Sequence, residues 1–245
     1  MIVSLLYSQW TFYKSYIEHF YRQDFPNAVS YNRFVELISR LFVPLNILLH
    51  LLFGEETGIY FIDSTTIKAC HNKRRYRNKV FAGLAKASKS SMGYFYGFKL
   101  HAIINHKGEF MALKMTKGNV DDRTPVPELS KGLTGVMAAD KGYIKQNLFI
   151  ELYEQGLKMI HGIKKNMKNK LMDLNEKILL RKRSIVETVF DYLKNKMDIE
   201  HTRHRSAINA FVHIVSTLVA YSLKKHKPSI NFSYSGSAPI SLIPN

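Results

Sequence analysis

Residues 58–65 read Gly58-Ile59-Tyr60-Phe61-Ile62-Asp63-Ser64-Thr65, an apolar, β-branched and aromatic run that ends in a carboxylate and two hydroxyls. Such a run predicts a buried β-strand with a charged side chain where the strand leaves the core. Ligands of open α/β sheets gather at strand ends, so Asp63 is a candidate for chemistry. For a single aspartate, capping of the next turn through the amides of Ser64 and Thr65 is the more common use.

A second aspartate follows the same pattern. Residues 135–143 read Gly135-Val136-Met137-Ala138-Ala139-Asp140-Lys141-Gly142-Tyr143, a short apolar run with an aspartate at its end and a glycine turn. The repetition favours a shared functional site over two unrelated caps. Asp121 and Asp122 are rival acids. Adjacent carboxylates in a Gly/Asn loop more often form a turn or a cap, so we rank them below the strand-end pair.

A third acid, Glu187, lies on a predicted amphipathic helix that spans residues 183–194. The apolar side of this helix is formed by Ile185, Val189 and either Tyr192 or Leu193. Arg183 precedes Glu187 by four residues and Lys194 follows it by seven, so the three share one face. Two strand-end aspartates and one helix glutamate could hold a pair of divalent cations, as in phosphoryl transfer.

The composition indicates a globular protein with a polyanionic partner. A chain of 245 residues can bury a substantial core and suits one domain with an appendage, and its 46% hydrophobic content supports a globular protein. Lysine and arginine total 36 against 19 acidic residues, which gives a net charge of +17. Nucleic acid and an anionic membrane surface both fit such a charge.

Hydropathy and cysteine usage favour the nucleic acid. The most apolar stretch, residues 207–223, is interrupted by Asn209, His213 and two serines, and predicts a core helix. Residues 1–7 lack the features of a secretory signal. With Cys70 as the single cysteine, we expect a reducing cytosol and no intrachain disulfide.

Three basic clusters are candidates for contact with DNA. They comprise Lys73, Arg74, Arg75 and Arg77 around Tyr76; Lys164, Lys165, Lys168 and Lys170; and Arg203 with Arg205. The first suits phosphate contact combined with base stacking, because an aromatic ring lies among the cations. A solvated loop is the usual alternative for a charge run, and the net charge of the chain tilts the interpretation toward DNA.

The order of elements predicts three regions. Residues 1–55 form a helical segment, with a helix from Val3 to Tyr21, a second from 31 to 41 capped by Ser30, and a third opened by Pro44. This segment is either a DNA reader or a cap packed on the main domain. Residues 56–225 form an α/β domain, and residues 226–245 form a disordered tail.

The α/β domain combines an antiparallel meander with later strands. Residues 86–91 predict a flexible linker, residues 96–105 a strand, 106–109 a hairpin turn and 110–115 a returning strand. Together with the Asp63 strand this gives a three-strand meander. The Asp140 strand, a helix over 145–155 closed by Gly156 and a strand over 157–163 complete a mixed sheet flanked by helices.

This sequence resembles the DDE-type transposases of bacterial insertion sequences, whose catalytic domain has an RNase H-like fold. The resemblance rests on residues 61–65 (FIDST), 118–122 (GNVDD), 139–143 (ADKGY) and 183–194, and runs from about Tyr31 to Tyr221. It implies that Asp63, Asp140 and Glu187 are catalytic and bind two Mg²⁺ ions, for which Mn²⁺ can substitute. Leu180 stands where related families carry a tyrosine.

The resemblance also implies a reaction and its partners. Metal-dependent cleavage at the ends of the element would be followed by strand transfer into double-stranded target DNA, by a homodimer in the bacterial cytoplasm near the nucleoid. Arg183 and Lys194 would hold phosphates, or Arg183 would simply form an ion pair with Glu187. The chain is expected to be shortened at its amino terminus. A nuclease of the same fold that cuts without joining and an inactive DNA-binding derivative are the alternatives.

Overall fold

The computed structural model describes residues 12–90, 93–162, 172–200 and 204–231. The chain forms two compact units, which we call the helical unit and the sheet unit. The helical unit comprises residues 1–52, 68–84 and 191–225, and the sheet unit comprises 53–67, 85–190 and 226–245.

The described strands are β1 (Ile59–Cys70), β2 (Lys86–Ser90), β3 (Gly93–Asn105), β4 (Phe110–Lys117), β5 (Gly135–Ala139) and β6 (Leu157–His161). The described α-helices are α1 (Tyr31–Ile38), α2 (Phe42–Leu51), α3 (Val126–Leu129), α4 (Gln146–Glu154), α5 (Leu174–Lys182), α6 (Ser184–Asn195) and α7 (Ala207–Ser222).

The strands form one mixed sheet in the order β2-β3-β1-β5-β6, and β4 also pairs with β3. β5 runs parallel to both β1 and β6, whereas β3 runs antiparallel to both β2 and β4. Parallel strands need crossover connections, and α3 and α4 precede and follow β5 in the chain. The predicted fold class, a mixed sheet flanked by helices, is confirmed.

Two sequence predictions about strands are wrong. The first strand does not end at Asp63 but continues to Cys70, since Thr65, Thr66 and Ile67 are β-branched and favour extended backbone. The predicted linker at 86–91 contains β2, which pairs with residues 93–97 of β3. Lysine and serine are weak strand formers, so β2 owes its extended conformation to this partner, and its lysines suit an edge strand.

The core of the sheet unit lies under β1 and β5. Tyr60, Ile62 and Met137 pack there with Leu152 of α4 and Leu157 of β6, all nearly inaccessible to solvent. Burial of side chains of this size contributes about 1.5–3 kcal/mol each, so this cluster fixes β1 and β5 relative to α4.

The helical unit is built on α2 and α7, which pack against each other. The predicted core helix over 207–223 is confirmed, because α7 is buried along most of its length. Leu45 and Leu49 of α2 are buried while Val43 and Ile47 are exposed. By length and composition alone the helical stretch 31–51 could cross a membrane, a test that core helices of soluble proteins also pass.

The predicted cap of α1 is confirmed, since the Ser30 hydroxyl accepts a hydrogen bond from the Arg33 amide at 3.3 Å. Of the helix predicted from Val3 to Tyr21, residues 12–17 form a short π-helix, and residues 3–11 lie outside the described residues. Near the carboxyl end, the Ile230 amide donates to the carbonyl of His106 at 2.8 Å. Residues 232–245 of the predicted tail also lie outside the described part.

Candidate catalytic site

Asp63 and Asp140 lie at equivalent positions on two neighbouring parallel strands. The β1–β5 ladder ends where Phe61 pairs with Ala138, and counting two residues further on each strand reaches the two aspartates. Neighbouring strands are about 4.8 Å apart, so this register brings the two aspartates close together where β5 ends and β1 continues. Asp140 directly follows β5, as predicted.

The backbone approaches closely at the other end of the ladder, where Gly135 meets Gly58. Gly135 has φ +111°, and a Cβ atom there would lie 2.3 Å from the carbonyl oxygen of Gly58. A side chain therefore cannot be accommodated without moving one of the two strands.

Glu187 is presented by the first turn of α6. The opposite side of that turn is anchored in the core by Ile185, Val186 and Val189, so the glutamate faces outward and its side chain is 56% exposed. Leu193, not Tyr192, completes the buried side. The predicted amphipathic helix is confirmed, although it begins at Ser184, with Arg183 as the residue between α5 and α6.

The guanidinium of Arg183 brings the three acids together. Nη1 donates to Oδ2 of Asp63 at 2.9 Å, and Nη2 donates to Oε1 of Glu187 at 2.6 Å. Nη2 also lies 4.0 Å from Oδ1 of Asp140. Side chains that are far apart in the sequence therefore converge on one cationic group. The ion pair of Arg183 with Glu187, which is the alternative to a phosphate contact, is present.

Asp63 has a pKa far from its ordinary value. Burial raises its pKa to about 6 and outweighs the Ser64 amide and Arg183, which both lower it. The Ser64 amide donates to Oδ1 at 2.8 Å, so part of the local capping considered for Asp63 also occurs. A carboxylate held by two donors in a half-buried site has a fixed orientation, as a metal ligand requires.

A polar network that the sequence did not predict lies beside Asp63. The Ser64 hydroxyl donates to Oδ1 of Asp122 at 2.8 Å, and Lys99 Nζ donates to the same oxygen at 3.0 Å. His101 lies behind them, hydrogen-bonded to the Thr116 hydroxyl at 2.8 Å, and its pKa is lowered to about 4, mainly by burial. Asp122 is thus hydrogen-bonded to Ser64, the residue that follows Asp63 in the chain.

The sequence did contain a signal for this network. Lys99 and His101 alternate with the apolar residues of β3, a pattern that predicts a strand with one polar face. In the structure, the side chains of Lys99 and His101 are both largely buried. β3 lies inside the sheet, and polar side chains that are buried there need hydrogen-bond partners. A lysine and a histidine on such a strand therefore indicate a polar network.

Tyr143 and Asp121 have separate roles near the site. The Tyr143 ring is buried, and its pKa is raised by burial first and then by Asp63 and Asp122. Its hydroxyl is therefore held neutral beside the acids. Asp121 accepts a hydrogen bond from the Arg123 guanidinium, and this bond lowers the pKa of Asp121 far below its ordinary range.

The carboxylates of the acid cluster have the chemistry that a hard divalent cation requires, and the Arg183 guanidinium lies among them. Carboxylate oxygens are the ligands that Mg²⁺ prefers, and the guanidinium already gathers three of them around positive charge. Within the described residues, no three Asp, Glu, His or Cys side chains lie close enough together to hold a metal ion. Arg183 stands between them.

The predicted DNA-binding residues are only partly described. Lys73, Arg74, Arg75 and Arg77 lie on a short 3₁₀-helix, Asn72–Arg77. Tyr76 on the same turn is 85% exposed, and the Arg75 guanidinium lies 4.5 Å from its ring centre. Arg205 is exposed, and Lys194 forms an ion pair with Glu200 at 3.3 Å. Outside the described residues lie Lys164, Lys165, Lys168, Lys170 and Arg203.

Comparison with known proteins places the chain in a family. A family model described as "Transposase DDE domain" matches residues 53–207. Among solved structures, the piggyBac transposase in a synaptic complex with hairpin DNA is 12% identical, with a TM-score of 0.47. The match covers 81% of this chain and 56% of that one, so this chain spans little more than half of that transposase. No curated protein matches. Because the family model covers more than half of the sequence, the chain belongs to the transposase DDE domain family.

Proposed function

We propose that the chain is a transposase that cleaves DNA strands at the ends of an insertion sequence and transfers them into target DNA. The observation that carries the proposal is the convergence of Asp63, Asp140 and Glu187 on one cationic group in a member of the DDE family. Strand-end aspartates and a helix glutamate are the acids that such a reaction needs around divalent cations.

Asp63, Asp140 and Glu187 would hold two Mg²⁺ ions, or Mn²⁺ in their place. When bound, these ions supply Lewis acidity for the attacking oxygen and neutralise charge on the leaving oxygen. The chain itself fixes the ligands. The Ser64 amide orients Asp63, the β1–β5 register aligns Asp140 with it, and the buried side of α6 sets Glu187.

The net charge of +17 supports double-stranded DNA as the partner. The exposed cations of the 72–77 turn would contact phosphates, and Tyr76 would stack on exposed bases. Transposition requires two DNA ends held together, so the proposal includes a homodimer on DNA. It also includes a bacterial cytoplasmic location beside the nucleoid.

The test uses a plasmid that carries the genomic flanks of the coding region, in which the element's ends would lie. With Mg²⁺ the unchanged chain is expected to nick the flanks and join the cut ends to target DNA. Asp63→Ala should abolish cleavage and leave DNA binding intact. Asp121→Ala is the matched control, because that aspartate pairs with Arg123 and should be dispensable.

Three results would change the assignment. Cleavage that survives Asp63→Ala would refute the catalytic site. Cleavage without joining would favour a nuclease of the same fold. Binding without cleavage by the unchanged chain would favour a DNA-binding derivative.

A further inference from the structure

Arg183 occupies the space that the proposed function assigns to metal ions. Its guanidinium hydrogen-bonds Asp63 and Glu187 and lies within 4.0 Å of Asp140. We propose that Arg183 is an internal counter-ion that holds the three acids together in the metal-free chain and must leave them when divalent cations bind. This inference rests on the proposed metal site and adds the residue that sets its affinity.

The two oxygens of Asp63 show why the guanidinium and a metal ion compete. Oδ1 accepts the Ser64 amide at 2.8 Å, and Oδ2 accepts Arg183 Nη1 at 2.9 Å. A Mg²⁺ ion binds a carboxylate oxygen at about 2.1 Å, so an ion on Oδ2 would lie next to the guanidinium. The ion and the guanidinium would then be in contact with the same carboxylate oxygen, and their positive charges would repel each other strongly in a half-buried site. The guanidinium and the ion therefore cannot both bind this oxygen.

The charges favour the metal in this competition. Three carboxylates lie around the Arg183 guanidinium, and its contact with Asp63 is the most shielded, since the two side chains are only 19% and 21% exposed. A divalent ion brings twice the charge to the same oxygens. Asp140 and Glu187 are each 56% exposed, which leaves the cluster accessible from solvent.

Departure of the guanidinium needs little change in the backbone. Arg183 lies in ordinary right-handed backbone (φ −55°, ψ −25°) between α5 and α6, and its long side chain has several staggered rotamers available to it. Once released, its planar fork of N–H donors suits a phosphate group. Metal loading would thus make available the phosphate contact expected of this residue.

Metal affinity gives the first test. Mn²⁺ is titrated into the chain without DNA and the unbound ion is counted by electron paramagnetic resonance. Arg183→Gln should bind Mn²⁺ about tenfold more tightly than the unchanged chain, because the competing charge is gone. Arg123→Gln is the matched control, since it removes an arginine that pairs with Asp121 in the same unit. Its affinity should not change.

The outcomes separate this inference from the proposed function. If the unchanged chain binds Mn²⁺ and Arg183→Gln binds it no more tightly, the counter-ion role is wrong and the metal site stands. If neither chain binds Mn²⁺, the proposed metal site is wrong and the inference falls with it. A structural role alone would weaken metal binding on substitution, the opposite of the expected change.

A second measurement uses the unchanged chain and so does not depend on the folding of a variant. In a sample with ¹⁵N-labelled arginine, the side-chain N–H signal of Arg183, assigned by its loss in Arg183→Lys, should be protected from exchange without metal. Saturating Mg²⁺ should shift the signal and remove its protection. A signal that stays protected and unshifted with the metal bound would refute the displacement.

Discussion

His101 and Asp63 predict a pH dependence of stability in which two large effects oppose each other. The pKa of His101 falls from 6.5 to about 4 on folding, so the unfolded chain binds more protons between these values and stability drops as the pH falls. The pKa of Asp63 rises from 3.8 to about 6, so the folded chain binds more protons there and stability increases as the pH falls.

The magnitudes follow from the shifts, at 1.36 kcal/mol for each pKa unit that the solution pH covers. When the pH falls from about 7.5 to about 5, protonation linked to His101 should lower the unfolding free energy by about 2 kcal/mol. Protonation of Asp63 should raise it by about 1.4 kcal/mol over the same range. These two groups together leave a net loss of only about 0.6 kcal/mol in the unchanged chain. Each substitution should reveal the effect of the other group.

The assay is urea unfolding followed by circular dichroism in EDTA at both pH values, read as the change in unfolding free energy between them. On acidification, the change in unfolding free energy of His101→Gln should be about 2 kcal/mol more favourable than that of the unchanged chain. For Asp63→Asn the change should be about 1.4 kcal/mol less favourable than that of the unchanged chain. Equal pH dependence in all three chains would refute the assignment of these protonation states to the fold.

Three further predictions concern the surroundings of the site. Asp122→Ala should lower the unfolding free energy by about 2–3 kcal/mol, measured by urea titration, because it strips the ion-pair partner from the half-buried Lys99; a loss below about 0.5 kcal/mol would contradict this. Gly135→Ala should destabilise the chain by more than about 2 kcal/mol, since its Cβ meets a carbonyl oxygen at 2.3 Å, whereas Gly132→Ala, also at positive φ but in open space, should cost only about 1 kcal/mol; equal costs would refute the close contact. Arg74→Ala should reduce the slope of log affinity against log salt for duplex DNA by about 0.9, as loss of one phosphate contact would, and an unchanged slope would remove that turn from the DNA path.

Local patterns in the sequence predicted the elements that carry the acids, although β1 continues past Asp63 to Cys70. The apolar runs before Asp63 and Asp140 and the helical spacing around Glu187 each depend on neighbouring residues, and the structure confirms the strand ladder and the helix that carry them. Burial of short apolar stretches dominates such elements, so their pattern is readable without knowledge of the fold.

The parts that sequence reasoning missed depend on contacts between distant residues. β2 has a polar sequence and is a strand because β3 pairs with it. Asp122 interacts with Ser64, which lies 58 residues earlier, and Arg183 interacts with Asp63, which lies 120 residues earlier. Composition and spacing do not specify such pairs, because any of several cations could satisfy a given carboxylate.

The central claim is that Asp63, Asp140 and Glu187 bind the same divalent ions, and metal-directed cleavage of the protein tests it directly. Fe²⁺ is placed in the Mg²⁺ site, and ascorbate with peroxide then generates radicals that cut the nearby polypeptide backbone. Cuts are expected close to all three acids in one sample, and excess Mg²⁺ should suppress all of them together. Cuts near one acid alone, or cuts that Mg²⁺ does not suppress, would contradict it.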